Sequence, residues 1–356
     1  MERYFFIFTN LIYRKHMKSI VRILSFIYLL FSITFINAQS SKNYSSKIDS
    51  ILQSKQTIPF NGVILIAKDN KINYPKSVGY KDIDAKIPLD MDTQFEIMSI
   101  TKQITAVLIL QEVEKGNIAL NQSIKNYLPN LTQPWANAVT VHHLLNHSHG
   151  IDDIEKPLLF EPGTNFKYGN LSNILLGKIL EKVTEQSYAH LADNLFKKLK
   201  MTNTSFYSSL QNPNLANGYF FTDKPNKVND PISVESYPAD GVISTAGDLL
   251  IWNNALHKGK LLPKKLYKLM TSESIKSQHD LFGKEPMGYG YNIRIAKHNN
   301  ITYLGHTGLG NGYSALNIYI PEKKISLIIL ENQMSEDRDL FYFLENLIKN
   351  ALLDNL

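Results

Sequence analysis

Hydrophobic and polar positions divide the chain beyond about residue 40 into three stretches. Tyr44–Gln53 has helical spacing, and the apolar run Gly62–Lys68, the polar turn Asp69-Asn70-Lys71 and then Ile72-Asn73-Tyr74 read as a β-hairpin. From Ser99 to about Pro238 the apolar period becomes helical, most clearly in Thr101–Lys115 and Ser172–Thr184, with long polar connections such as Thr222–Pro238. Ile104, Val107, Leu108 and Val113 make a buried stripe on the first of these helices. After Gly288 strands return at Tyr289–Ala296, Thr302–Gly305, Tyr313–Ile320 and Ile325–Glu331, before an amphipathic helix in Asp337–Leu353. Strands at both ends with helices between predict an α+β fold, with one antiparallel sheet assembled from the N- and C-terminal segments. A large, mostly helical insertion at about 99–240 packs against it, and a ligand is expected in the cleft between the two parts.

The N-terminus reads as an address. Lys18 and Arg22 precede the apolar run Ile23–Phe31, which ends at the small residue Ala38 before a polar stretch. That order is a secretory signal at 1–38, with Met17 a better start than Met1 and cleavage after Ala38, leaving 39–356 as one exported domain, periplasmic or secreted. The alternative is an uncleaved anchor, because Ile20–Ala38 is about long enough to span a bilayer. The net charge of +6 changes meaning in this light, since residues 1–38 hold five basic residues and one acidic one. The remainder is nearly balanced and gives no basic surface for nucleic acid. With Cys 0, disulfides, thiolate metal sites and cysteine nucleophiles are excluded.

Candidate chemistry begins at Ser99-Ile100-Thr101-Lys102, where the serine and lysine share one face of a helix's first turn. A serine hydroxyl needs a neighbouring base to become a nucleophile, and oriented N–H groups at a helix start favour a developing oxyanion. By itself the motif reads first as an N-cap serine followed by an exposed lysine, and it needs corroboration from elsewhere in the chain. Tyr168-Gly169-Asn170 places a phenol and an amide on a loop before the second long helix. They can act in proton transfer, or can pack a ring and cap the helix near Ser172. His306-Thr307-Gly308 ends a strand and leads into Leu309-Gly310-Asn311-Gly312, where Gly308 would let a substrate backbone approach the strand edge.

With these motifs the chain resembles the serine β-lactamase and penicillin-binding protein superfamily, in particular its class C β-lactamase, D-Ala-D-Ala carboxypeptidase and esterase branch. His143–Ile151 resembles that branch's "LLTHTSG" segment, Glu161–Asn170 its "PGTxFxYSN", and Gly241–Leu249 its "GxxSTxxDL". Gly305–Gly308, followed by Gly312-Tyr313 and Pro321, is similar to its last strand pair, so the likeness runs over about residues 45–350. It implies a three-layer α/β/α, β-lactamase/transpeptidase-like fold without a cofactor. Ser99 would be the acylated nucleophile, Lys102 its activator and Tyr168 a proton shuttle. Asn170 would hold Lys102 and the substrate amide, His306 and Thr307 would line the opposite wall, and the N–H groups of Ser99 and Leu309 would form the oxyanion hole.

Class C β-lactamases usually carry Lys where His306 stands, and a histidine is mostly neutral near pH 7. The resemblance therefore implies an amide or ester hydrolase acting on a D-Ala peptide, such as a cell-wall peptide, or on a small ester. A β-lactamase or a non-turnover penicillin-binding sensor is the alternative. His142, His143, His147 and His149 look like a metal cluster but have no accompanying carboxylate or cysteine pattern, so no metal site is assigned.

Overall fold

The structure is a computed structural model that describes residues 44–207, 212–228, 230–277 and 286–356. The secretory segment read at 1–38 lies outside the described residues. Among those described, no helix is long and apolar enough to cross a membrane.

Eight strands form one antiparallel sheet. In chain order they are β1 (Gly62–Lys68), β2 (Lys71–Val78), β3 (Ile275–Lys276), β4 (Gly288–Tyr289), β5 (Arg294–His298), β6 (Ile301–Gly310), β7 (Tyr313–Ile320) and β8 (Ile325–Glu331), and across the sheet they run β3-β4-β5-β6-β7-β8-β1-β2. The expected joining of the chain's two ends is the β1–β8 pairing, in register from Gly62 opposite Glu331 to Lys68 opposite Ile325. Every residue of β7 and β8 is buried, and six of the seven in β1. This explains their unbroken apolar runs, because helices cover both faces and neither face needs polar alternation.

One face carries α1 (residues 44–53) and the C-terminal helix, with Tyr44, Ile48, Leu316, Ile318, Ile348 and Leu352 in a common core. The other packs against α2 (Thr101–Glu114), α3 (Leu171–Thr184) and α4 (Ala246–His257) through Val63, Ile104, Leu176, Trp252 and Ile328. The result is the expected three-layer α/β/α arrangement. The buried stripe expected on α2 is corrected: eleven of its fourteen residues are buried, whereas Val113 is only half-buried. Only the last turn of α2, at Gln111, Val113 and Glu114, reaches water, because other helices cover the rest.

Two further differences bear on the site. The expected strand Tyr289–Ala296 is broken, because Asn292 takes a left-handed φ of 50° and the Gly290 N–H turns back onto the Ile293 carbonyl. β6 runs five residues beyond the expected Gly305. β5 pairs with it only from Ile301 to Gly305, so among the described residues no strand pairs with His306–Gly310 on that side.

Candidate active site

Three segments distant in sequence meet at Ser99. Phe95–Glu96 pairs with Val242–Ser244, and the Ile97 N–H donates to the Val242 carbonyl at 3.0 Å. This pairing sets the turn before α2 beside the short helix Tyr237–Asp240. Met98 takes a φ of 48°, a left-handed backbone that a side-chain-bearing residue rarely adopts. Ser99 follows in a 3-10 turn, half-exposed to the cleft, and the next turn carries Lys102, which is wholly buried.

Lys102 Nζ donates to Ser99 Oγ at 2.7 Å and to Asn170 Oδ1 at 2.8 Å, and lies 3.1 Å from both the Ala239 carbonyl and Asp240 Oδ1. The alternative of a serine cap with an exposed lysine is thus not what forms. Nor does Asn170 cap α3: it occupies the N-cap position, but its amide is spent on Lys102 and, as donor, on Asp240 Oδ2. Ser99 Oγ in turn donates to Asp240 Oδ1 at 2.8 Å.

Tyr168 borders this cluster. Lys102 Nζ sits 5.2 Å from its ring centroid and the Arg294 guanidinium 5.3 Å, so two cations press on one aromatic ring. His147 packs on the same ring at 4.7 Å between centroids, and the Lys167 N–H holds the loop to the His147 carbonyl at 2.8 Å. Arg294 is buried, and its Nε and Nη1 meet no hydrogen-bond acceptor among the described residues.

His306 differs from its expected place on the cleft wall. It is wholly buried behind Tyr168, stacked at 5.9 Å, and burial first, then the charge of Arg294, pushes its imidazole well below the usual histidine range. Its Nδ1 lies 2.7 Å from the Thr307 carbonyl, which can only accept, so Nδ1 carries the proton and Nε2 accepts from the Tyr289 hydroxyl at 3.0 Å. Thr307 pairs with Leu316 in β7, on the opposite face of the strand, and its hydroxyl hydrogen-bonds the Tyr342 phenol. Leu309 lies in β6 beyond its pairing with β5.

Gly308 is also required for packing. A Cβ there would stand 2.3 Å from the Ile97 carbonyl oxygen, so only glycine lets the strand pack against the serine turn. Gly241 closes the other side, since a Cβ would stand 2.5 Å from the Tyr237 ring.

The four histidines of 142–149 each have a separate engagement. His142 meets Tyr291, His143 completes the cap of Val141–Leu145 with Thr140, His147 meets Ser172, and His149 accepts the Ile151 N–H. Sequence reasoning missed Asp240 and Arg294, along with Asn292, whose amide donates to the Lys102 carbonyl at 3.0 Å.

A half-exposed serine on a strained turn, held by a buried lysine, is the arrangement of a serine hydrolase in outline. Residues 53–345 match the beta-lactamase family, and the chain belongs to it. It is 27% identical over 321 residues to protein flp of Staphylococcus aureus (strain COL), covering 82% of this chain and 63% of that one. It is also 27% identical over 316 residues to penicillin-binding protein 4* of Bacillus subtilis (strain 168), covering 77% of this chain and 68% of the relative. The chain thus spans just under two-thirds of the length of flp. Among solved structures, the octameric penicillin-binding protein homologue of Pyrococcus abyssi superposes with a TM-score of 0.73 at 27% identity, covering 88% of this chain and 76% of its own. D-amino acid amidase from Ochrobactrum anthropi SV3 shares the fold, with a TM-score of 0.74 at 22% identity over 88% of this chain and 99% of its own.

Proposed function

We propose that the protein is a serine hydrolase that forms an acyl-enzyme on Ser99 and hydrolyses an amide or ester. The observation that carries this reading is the 2.7 Å bond from the wholly buried Lys102 ammonium to Ser99 Oγ, at a serine still open to the cleft. A cation fixed against the nucleophile stabilises the alkoxide character that develops as Oγ attacks. Lys102 and Arg294 supply the positive charge here, because His306 is buried and neutral. Tyr168, on the cleft border, hands a proton to the leaving group, Asn170 holds Lys102, and the N–H groups of Ser99 and Leu309 face the oxyanion.

The substrate class is a D-amino acid amide, a D-Ala peptide of the cell wall or a small ester. The penicillin-binding and amidase names among the similar proteins support this choice, as does the lack of an ionised group at His306 to hold a β-lactam carboxylate. With residues 1–38 read as a secretory signal, the enzyme works outside the cytoplasm. The test is intact-mass spectrometry of residues 39–356 with an active-serine fluorophosphonate, with penicillin, and with D-alanine p-nitroanilide. An adduct mapped to Ser99 and release of nitroaniline are expected. Drug hydrolysis without a lasting adduct would identify a β-lactamase, a lasting adduct without any turnover would identify a sensor, and labelling that survives Ser99→Ala would sink the assignment.

A further inference from the structure

Ser99 Oγ has a donor and an acceptor within 2.8 Å, Lys102 Nζ and Asp240 Oδ1. Lys102 Nζ has four oxygen neighbours within 3.1 Å, at Ser99, Asn170, Ala239 and Asp240. A neutral amine has two protons to share among them and a lone pair that needs a donor, whereas an ammonium has three protons and needs only acceptors. The oxygen-rich surroundings suit the ammonium, and an ammonium cannot take the serine proton. Ser99 Oγ therefore accepts from Lys102, and its own O–H points to Asp240 Oδ1 at 2.8 Å.

We propose that Asp240 is a catalytic base of this site, taking the Ser99 proton in acylation and a water proton in deacylation. The proposal rests on the serine-hydrolase reading above and adds a carboxylate to it. In acylation the Ser99 O–H bond breaks, its proton passes to Asp240 Oδ1, and Oγ bonds to the substrate carbonyl carbon. Collapse of the tetrahedral intermediate breaks the bond from carbon to nitrogen or oxygen, the leaving group takes a proton from Tyr168, and Tyr168 is restored by the proton held on Asp240. In deacylation water gives a proton to Asp240 and its oxygen bonds to the acyl carbon. Oγ leaves and recovers that proton, so the sum is one water consumed per acid and amine or alcohol released.

The carboxylate is held for this task from several sides. Asn170 donates to Oδ2, which leaves Oδ1 for the serine and lysine. Thr105 Oγ1 donates to the Pro238 carbonyl at 2.6 Å, while Thr101 Oγ1 accepts the Val242 N–H at 3.3 Å. These threonines stand one helical turn apart on α2, on either side of Lys102, and clamp the segment carrying Asp240 at both ends. A base placed in advance costs no reorganisation when the reaction begins. Nothing in the local sequence Tyr237-Pro238-Ala239-Asp240 marks it, since the approach depends on the distant pairing of Phe95–Glu96 with Val242–Ser244.

The test is the acylation rate with p-nitrophenyl acetate, followed by stopped-flow release of nitrophenol and by intact mass. Asp240→Asn keeps the shape but cannot take a proton, and a fall of about 10²- to 10⁴-fold is expected. Asp240→Ala should be as slow, and formate supplied in solution should restore at least tenfold of the loss, as only a folded site lacking a base allows. Wild-type acylation by Asp240→Asn overturns the proposal, and so does an Asp240→Ala loss that formate does not relieve. If either occurs while the wild type still forms the Ser99 adduct, the hydrolase reading stands and the base lies elsewhere. If the wild type forms no adduct, both fall together.

Discussion

The molecule contains two Lys–Asp pairs whose comparison separates distance from consequence. Lys76–Asp49 joins β2 to α1 at 2.8 Å, with each side chain 38% exposed, while Lys102–Asp240 is longer at 3.1 Å with exposures of 0% and 10%. The shorter pair is the weaker one. In water the Coulomb attraction at these distances is about 1 kcal/mol and is nearly cancelled by ordering two long side chains. In the interior both the attraction and the desolvation are several-fold larger, and the balance depends on how many further hydrogen bonds each charge finds. Lys102 has Ser99, Asn170 and the Ala239 carbonyl, and Asp240 has Ser99 and Asn170. The buried pair is therefore held in a network of shared hydrogen bonds that includes the nucleophile.

The largest effects fall on that network. Ser99→Ala removes the acylated atom, and labelling by a fluorophosphonate should vanish while the thermal midpoint changes little. Lys102→Met should cut acylation by about 10³-fold and also destabilise the fold by about 3–5 kcal/mol, because it leaves Asp240 charged, buried and without its cation. Urea unfolding and burst kinetics on the same sample separate the two losses. An active, fully stable Lys102→Met would break the comparison at its root. Gly308→Ala reaches the site through packing, by forcing the Ile97 carbonyl away from 2.3 Å. Displacing the serine turn by a few tenths of an ångström to 1 Å should lower acylation by up to about 10²-fold, with Ser99 and Lys102 both still present.

Ser99 and Lys102 were legible because they sit three residues apart on one turn, where local spacing alone puts them together. Tyr168 and Asn170 were legible through their motif, as were the overall α+β layers and the strand runs at Tyr313–Ile320 and Ile325–Glu331. Asp240 was not. Its position depends on two strands of two and three residues, too short to show any period, joined across more than a hundred positions. Arg294 was hidden for a related reason, since an apparently continuous strand through 289–296 conceals the turn at Asn292 that re-aims it. His306 was assigned to the right strand and faces Tyr168, but its complete burial depends on how the distant Tyr168 loop folds over it, which no local pattern reveals.

A third acid sharpens the contrast between paired and unpaired burial. Glu96 is buried, and among the described residues no cation pairs with it. Desolvation, reinforced by the charge of Asp240 and eased by the Asn311 amide, holds its carboxyl up to about 7. Because the folded state keeps this proton more tightly than the unfolded chain, the stability it contributes is full below pH 4.5 and is lost as pH rises through about 7. That interval corresponds to roughly 3 kcal/mol at most. Glu96→Gln keeps an acceptor for Asn311 but never ionises, so urea midpoints should flatten between pH 5 and 8, with the variant the more stable at pH 8. A variant that follows the wild type throughout would show that Glu96 is solvated.

The exposed pair provides the smallest effect and the cleanest control. The hydrogen bond from Lys76 holds the Asp49 carboxyl below the usual carboxylate range, with Tyr74 donating to the same oxygen at 2.8 Å. Stability from this pair is therefore present above the ordinary carboxylate pKa and fades as pH falls below it. Solvent screening discounts it to about 0.5 kcal/mol. Lys76→Met still leaves Asp49 bonded to Tyr74 and open to water, so no uncompensated charge is created, unlike the case at Lys102. A double-mutant cycle with Asp49→Asn should give a coupling of about 0.2–1 kcal/mol in low salt that shrinks toward zero in 1 M NaCl, where the Debye length is about 3 Å. A coupling above about 2 kcal/mol that survives salt would place this pair with the buried one, and the difference drawn from exposure would not hold.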